Sequence, residues 1–291
     1  MDQSFPIKGR YLVIIWLLPT YFYLPTEWVW SVFINETFPS LITSDSYFFW
    51  DDLVYYYLFY SIFLSVAVFF LLFYKLKWRR MFKTPTSVEY FESVKLTTFL
   101  FLFSWAAIYW VFYPLSFVMP EFVNDWLFFE DTTIYDYGGD YALFPNLLSF
   151  ISLVILPAVI EELVFRGILL HRWCPKFGVS NAILLSSYIL ATMHPEPLGA
   201  YVFAIGMSLL YLKTQNLFLP ILCHMLNNLA VWLFLLFESL YEGYDYNYTL
   251  EEFQADWRQG ITISAIVLIW VILYIQSPKK NTKGLSLPNL N

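Results

Sequence analysis

Long apolar runs, each near the length that crosses a lipid bilayer, restrict this chain more than any other sequence feature. A spanning helix needs about 20 mostly apolar residues. Charged residues make up only 13% of the chain, against roughly 25% in soluble domains. The sequence therefore predicts an all-α, polytopic membrane protein of about eight transmembrane helices. The predicted helices are Tyr11–Phe33, Leu53–Tyr74, Thr97–Val118, Leu143–Leu170, Asn181–Met193, Leu198–Leu212, Leu217–Phe237 and Ile261–Ile275.

The fifth and sixth predicted helices are shorter than the others. A helix as long as Asn181–Met193 rises about 20 Å, whereas the hydrocarbon core is roughly 30 Å thick. These two runs are compatible with a hairpin that turns within the membrane or with two full crossings. Both arrangements leave the sidedness of the later helices unchanged.

Basic and acidic residues are sorted between the two sides of the predicted membrane. Alternating crossings place all but one of the 16 Lys and Arg residues on one side, Arg258 being the exception, and the opposite loops are acidic. Because cytoplasmic loops carry the excess of Lys and Arg, both termini are predicted to be cytoplasmic. We expect a multi-pass protein of the cell (inner) membrane if the source is bacterial. The lipid bilayer is its predicted partner, and nucleic acid is excluded because no clustered basic surface is apparent.

Two adjacent glutamates and an arginine lie inside the fourth predicted helix, where charged groups are costly and usually mark a functional site. Glu162 and Arg166 are four residues apart and share one helix face, in the favourable Glu-first order. Glu161 points about 100° away and needs a different environment. A lone carboxylate in an apolar site is suited to general-base catalysis near neutral pH. The alternative is that both glutamates only hold helices together.

Two histidines and an asparagine lie within or at the ends of neighbouring apolar helices. His194 ends the fifth predicted helix, whereas His224 and Asn228 share one face of the seventh. Together with Glu161, these groups form a candidate hydrolytic site. Glu161 would take a proton from water, and His194 would hold that water or orient the carboxylate. His224 and Asn228 would donate hydrogen bonds to the developing oxyanion.

Zinc chemistry is the alternative for the same residues, although no cofactor is favoured. His194, His224 and Glu161 would then be the ligands, with water in the fourth position. The chain contains no HExxH motif, which weighs against this alternative.

The order and spacing of these residues resemble the motifs of the CAAX protease and bacteriocin-processing (CPBP) family of intramembrane peptidases, which includes the type II CAAX prenyl endopeptidases. The first motif is a Glu pair, three residues and then Arg, here within Glu161–Gly167. The last motif is His, three residues and then Asn, here His224 and Asn228. The middle motif usually has an aromatic residue four positions before a His, and here Leu190 precedes His194 at that spacing.

The resemblance covers roughly residues 143–238 and implies a CPBP-like catalytic core there. Residues 1–142 would then contribute three helices, a basic cytoplasmic loop and an acidic outer loop. Residues 239–291 would contribute an acidic outer loop, the last helix and a polar cytoplasmic tail. The resemblance also implies that Glu161 and His194 activate water, and that Glu162 and Arg166 support the site.

The function predicted in this way is that of an intramembrane endopeptidase acting on a membrane-associated, prenylated or peptide substrate through a glutamate-activated water. One alternative is a non-enzymatic immunity or interaction protein on the same scaffold. Another is a proton-coupled transporter, since buried Glu and His residues also form proton relays. The transporter is disfavoured because no inverted repeat is apparent.

Overall fold

The computed structural model describes residues 44–73, 75, 77–128, 133–244, 246–276 and 287. The predicted first helix, Tyr11–Phe33, therefore lies outside the described residues. One turn of 3₁₀-helix, Trp78–Met81, lies between the first two helices of the described ranges. The helices are α1 Ser44–Phe73, α2 Ser87–Val118, α3 Pro120–Leu127, α4 Leu143–Phe177, α5 Val179–Ala191, α6 Pro197–Thr214, α7 Phe218–Glu242, α8 Leu250–Ala255 and α9 Trp257–Gln276.

Six helices of the described ranges are long and apolar enough to cross a bilayer: α1, α2, α4, α6, α7 and α9. Helix α5 has 13 residues and is short, as predicted. Helix α6 has 18 residues and is longer than predicted, because it begins at Pro197 and continues through the polar residues Lys213 and Thr214. The total of about eight spanning helices and the membrane-turning hairpin stay predictions.

One small departure from an all-helical fold lies between α3 and α4. Strands β1 (Asp136–Tyr137) and β2 (Asp140–Tyr141) form a two-residue antiparallel pair. Gly138 and Gly139 have positive φ angles in the connecting turn, a conformation that glycine adopts without steric cost. Every other element of regular secondary structure in the described ranges is helical, so the predicted all-helical class holds apart from this pair.

Helix α4, which carries the paired glutamates, is interrupted by two wide turns. The segments Ile151–Ile155 and Leu163–Leu170 are π-helical, a local geometry that is frequent at functional sites. The first wide turn precedes Pro157, which has no backbone N–H and cannot make the usual bond to the carbonyl four residues earlier. The local sequence therefore frees a carbonyl group inside α4.

Close helix contacts position the elements around α4. Helix α6 packs against both α5 and α2. A Cβ atom built on Gly199 of α6 would come within 2.6 Å of the Cα atom of Ser104 in α2, so only glycine fits at this crossing. Small residues permit such close approach between membrane helices. The start of α6, next to His194, is thereby held against α2.

Candidate active site

Arg166 links α4 to α6 through a buried ion pair. Its Nη1 atom donates a hydrogen bond to Oε1 of Glu162 over 2.8 Å, and its Nη2 atom donates to the carbonyl oxygen of Ala204, also over 2.8 Å. Both charged side chains are almost completely buried: Glu162 is 0% exposed and Arg166 is 1% exposed. A buried guanidinium group is costly unless a charge partner and hydrogen bonds compensate it. The contact predicted from the four-residue spacing is therefore present.

His224 joins α7 to the same carboxylate. Its Nδ1 atom lies 3.1 Å from Oε1 of Glu162, and because an ionised carboxylate only accepts, Nδ1 is the donor. The imidazole ring also packs edgewise against Phe203 of α6, with ring centroids 5.4 Å apart. Glu162 thus fixes the orientation of His224, and Nε2 is the ring nitrogen left for other chemistry.

Glu161 has a different environment from that of its neighbour. The side chain is 3% exposed, and its Oε1 atom accepts a 3.1 Å hydrogen bond from the hydroxyl group of Tyr60 in α1. Its Oε2 atom is buried and has no hydrogen-bond partner among the described residues. Oε2 of Glu162 is likewise without a partner, so the two adjacent glutamates differ at Oε1: one is ion-paired there and the other accepts from a neutral hydroxyl group.

Asn228 lies one turn beyond His224 and also contacts α4. Its Nδ2 atom donates a 3.0 Å hydrogen bond to the carbonyl oxygen of Leu153. Pro157, four residues after Leu153, has no N–H to offer that oxygen. The amide nitrogen carries two hydrogens, and only one of them is used in this bond, so the other is available for a second hydrogen bond.

His194 lies in the connection between α5 and α6 and is partly buried. Its Nδ1 atom is 2.9 Å from the carbonyl oxygen of Leu190, which can only accept, so Nδ1 carries the hydrogen. No direct hydrogen bond joins His194 to Glu161, His224 or Asn228 within the described part of the chain. The family motif has an aromatic residue at the position of Leu190. In this chain that position contributes its backbone carbonyl oxygen to the contact with His194.

The structure brings together some of the predicted residues directly and others only through shared helices. Glu162, Arg166 and His224 form one hydrogen-bonded cluster, and Glu161 adjoins it in sequence. Asn228 reaches the same helix through Leu153, whereas His194 stays outside the cluster. No group of three His, Cys, Asp or Glu side chains in the described residues is arranged to hold a metal ion. The alternative zinc ligands, Glu161, His194 and His224, are therefore not arranged as a metal site in this structure.

Two contributors were missed by reasoning from the sequence. Tyr60 lies outside the motifs, in a segment with several other aromatic residues, and nothing local distinguishes it. The Leu153 carbonyl had a usable signal, because a proline inside an apolar run, here Pro157, leaves the carbonyl four positions earlier without its helical donor.

Residues 143–230 match a family model described as Rce1-like: type II CAAX prenyl endopeptidase Rce1-like. The matched range begins at the first residue of α4 and contains every predicted motif residue from Glu161 to Asn228. The match supports membership of the CPBP family, so the resemblance is confirmed over this range. Comparisons with curated proteins and with solved structures give no match. The six apolar helices of the described ranges indicate an integral membrane protein, and residues 143–230 within it match a peptidase family.

Proposed function

We propose that the chain is an intramembrane endopeptidase in which Glu161 activates the attacking water. The observation that carries this proposal is the contrast between the two adjacent glutamates. Oε1 of Glu162 accepts from Arg166 and contacts His224, whereas Oε1 of Glu161 accepts from the neutral hydroxyl group of Tyr60 and has no cationic hydrogen-bond partner among the described residues. A carboxylate that is not held in an ion pair, and that keeps one oxygen without a hydrogen-bond partner, suits a general base.

The proposed role of His224 uses the imidazolium form, in which both ring nitrogens carry a hydrogen. The imidazolium group would donate from Nδ1 to Glu162 and from Nε2 to the substrate.

The proposed reaction starts when Glu161 takes a proton from water and the water oxygen attacks the scissile carbonyl carbon. His194, whose Nε2 lone pair faces no partner within the described residues, would accept a hydrogen bond from that water. The tetrahedral intermediate then collapses with cleavage of the C–N bond. The proton held by Glu161 passes to the leaving nitrogen, which yields a carboxylic acid and an amine and restores the carboxylate.

Two donors would stabilise the oxyanion that forms during attack. Nε2 of His224 supplies one hydrogen bond, and the second amide hydrogen of Asn228 supplies the other. Their orientation is set in advance by the bonds to Glu162 and Leu153. Preorganised donors of this kind stabilise developing charge without reorganisation during the reaction.

The substrate class follows from the family and from the position of the site. We expect a membrane-associated polypeptide to approach from the cytoplasmic side, because the predicted sorting of basic residues assigns the end of α4 that carries Arg166 to that side. The catalytic core would be residues 143–238. Because the matching family is one of CAAX prenyl endopeptidases, a prenylated peptide is the first substrate to test.

The test uses purified full-length protein in lipid vesicles with a farnesylated peptide that ends in a CAAX sequence. Mass spectrometry of the products should show cleavage at one peptide bond by the wild type. Glu161→Ala and His224→Ala should remain inserted and folded but release no product. Glu242→Ala, which changes an exposed carboxylate at the end of α7, is the matched control and should cleave normally.

Two outcomes of the same experiment would contradict the proposal. Retained cleavage by both the Glu161→Ala and the His224→Ala variant would eliminate the proposed roles. Loss of cleavage on chelation, restored by zinc and accompanied by bound metal in the wild type, would favour the zinc alternative. A non-enzymatic immunity protein would instead keep its protective effect in cells that express Glu161→Ala.

A further inference from the structure

Tyr60 contacts the proposed catalytic base from outside the region that matches the peptidase family. Its hydroxyl group donates a 3.1 Å hydrogen bond to Oε1 of Glu161, although the two residues are 101 positions apart. Tyr60 is 8% exposed and Glu161 is 3% exposed. The bond therefore lies in a buried setting of low dielectric, where a hydrogen bond is stronger than in water.

The packing of α1 sets the position of this hydroxyl group. Tyr60, Phe63, Ala67 and Leu71 are buried in one cluster with residues of α4, and they recur at intervals of three or four residues. This spacing places them on one face of α1. Ala67 is 0% exposed, and its small side chain allows α1 to approach α4 closely. A rotation of α1 would remove Tyr60 from Glu161, so the helix register fixes the contact.

We propose that Tyr60 is a positioning residue for the general base, an inference that rests on the proposed function of Glu161. The hydroxyl group holds Oε1 and thereby turns Oε2 toward the water. Without this bond, the carboxylate would rotate about its last side-chain torsion, which is a soft one. The positive charge of Arg166 would then draw it away from the water. The N-terminal region would in this way contribute to a site whose other residues lie in 143–230.

The expected consequence is a loss of turnover rather than of substrate binding. Tyr60→Phe removes only the hydroxyl group, and a hydrogen bond to a charged group of this kind is worth about a 10- to 100-fold change in rate. We expect kcat to fall by that factor while KM stays unchanged, because Tyr60 contacts the base and not the substrate.

Tyr57 provides a matched control on the same helix. Its hydroxyl group donates a 3.1 Å hydrogen bond to the carbonyl oxygen of Leu148 in α4. Tyr57→Phe therefore removes one tyrosine hydrogen bond between the same two helices without touching Glu161. If the hydroxyl group of Tyr60 only ties the helices together, the two variants should lose similar amounts of stability and neither should lose turnover.

A double-mutant cycle separates positioning from general weakening. Glu161→Asp shortens the side chain by one methylene group and withdraws the carboxylate from Tyr60. Adding Tyr60→Phe to that variant should lower kcat little further, whereas independent effects would multiply. Tyr60→Met, a second hydroxyl-free variant, serves if Tyr60→Phe does not fold.

The measurement is kcat and KM for the farnesylated peptide in vesicles, normalised to folded protein. A selective loss of kcat in Tyr60→Phe, absent in Tyr57→Phe and not multiplied in the Glu161→Asp background, supports the inference. Wild-type kcat in Tyr60→Phe, while Glu161→Gln remains inactive, overturns this inference and leaves the proposed function standing. Full activity of Glu161→Gln would instead overturn the proposed function itself.

Discussion

The Nδ1 atom of His224 and the Oε1 atom of Glu162 lie 3.1 Å apart across 62 residues of sequence. The same oxygen accepts a hydrogen bond from Arg166, whose other end bonds the backbone of α6 at Ala204. One carboxylate oxygen thereby joins α4, α6 and α7. The support that Glu162 provides extends to the orientation of His224, beyond the ion pair with Arg166.

Glu162→Gln should destabilise the protein strongly. It leaves the guanidinium group of Arg166 buried without its charge partner, and removal of one member of a buried pair typically costs about 3–5 kcal/mol. We expect a large fall in the melting temperature in detergent or lipid. Glu242→Gln is the control, because that carboxylate is exposed at the end of α7, and it should melt near the wild-type temperature.

Combining Glu162→Gln with Arg166→Met should restore part of that stability. The double variant removes both charges of the ion pair, so neither remains without the other. Buried ion pairs are often replaceable by uncharged residues of similar volume at little cost. Melting curves of the single and double variants measure the difference. Strictly additive losses would show that the ion pair does not couple the two residues.

Asn228→Ala should impair turnover more than stability. It removes one proposed oxyanion donor, and loss of a single donor of this type lowers kcat by about 10²–10³. The loss of the bond to Leu153 costs roughly 1 kcal/mol of folding free energy. Asn181→Ala is the matched control, because Asn181 is exposed and donates to a backbone carbonyl at Phe177. Equal kcat values for the two variants would contradict the role of Asn228.

Gly199→Ala should be more damaging than Gly206→Ala, although both glycines lie in α6. The added Cβ atom at position 199 meets the backbone of Ser104 at 2.6 Å, whereas at position 206 it meets the end of the Leu100 side chain at 2.8 Å. A leucine side chain can move, and alanine favours the helix over glycine by about 1 kcal/mol. We expect a loss of about 1–3 kcal/mol for the former only, measured as thermal stability.

The stability of the protein should depend on pH through Glu196, which lies between α5 and α6 and caps α6 by accepting from the Gly199 N–H. Burial raises the pKa of this carboxyl group from 4.5 to about 7, against the lowering effect of its hydrogen bonds. The folded state therefore holds the proton more tightly than the unfolded state does. The contribution to stability is complete below about pH 4.5 and is lost as the pH rises to about 7.

Glu196→Gln removes this titration but keeps an oxygen that can accept from Gly199. The variant should be more stable than the wild type at pH 8, by roughly 1–3 kcal/mol, and the two should converge near pH 4.5. Melting temperatures between pH 4.5 and 8 test this expectation. A difference that stays constant across the range would exclude Glu196 as its source.

The helices and the Glu162–Arg166 contact could be predicted because each depends on local chemistry. Apolar runs of spanning length require helices, and a four-residue spacing places two side chains on one face. The contacts of Tyr60 and His224 could not be predicted, because they depend on the relative rotation of helices distant in sequence. The wide turns of α4 alter the angular spacing that a regular helix implies, and Pro157 is a local sign of the first of them only.

The most direct test of the catalytic account is the kcat of Glu161→Gln for the farnesylated peptide, per mole of folded protein in vesicles. The amide retains the shape of the side chain and can still accept from Tyr60, but it cannot take a proton from water. We predict a loss of about 10²–10⁴, the range expected for removal of a general base, with wild-type thermal stability. A kcat within about threefold of the wild-type value, under 1 kcal/mol of activation free energy, would contradict the account.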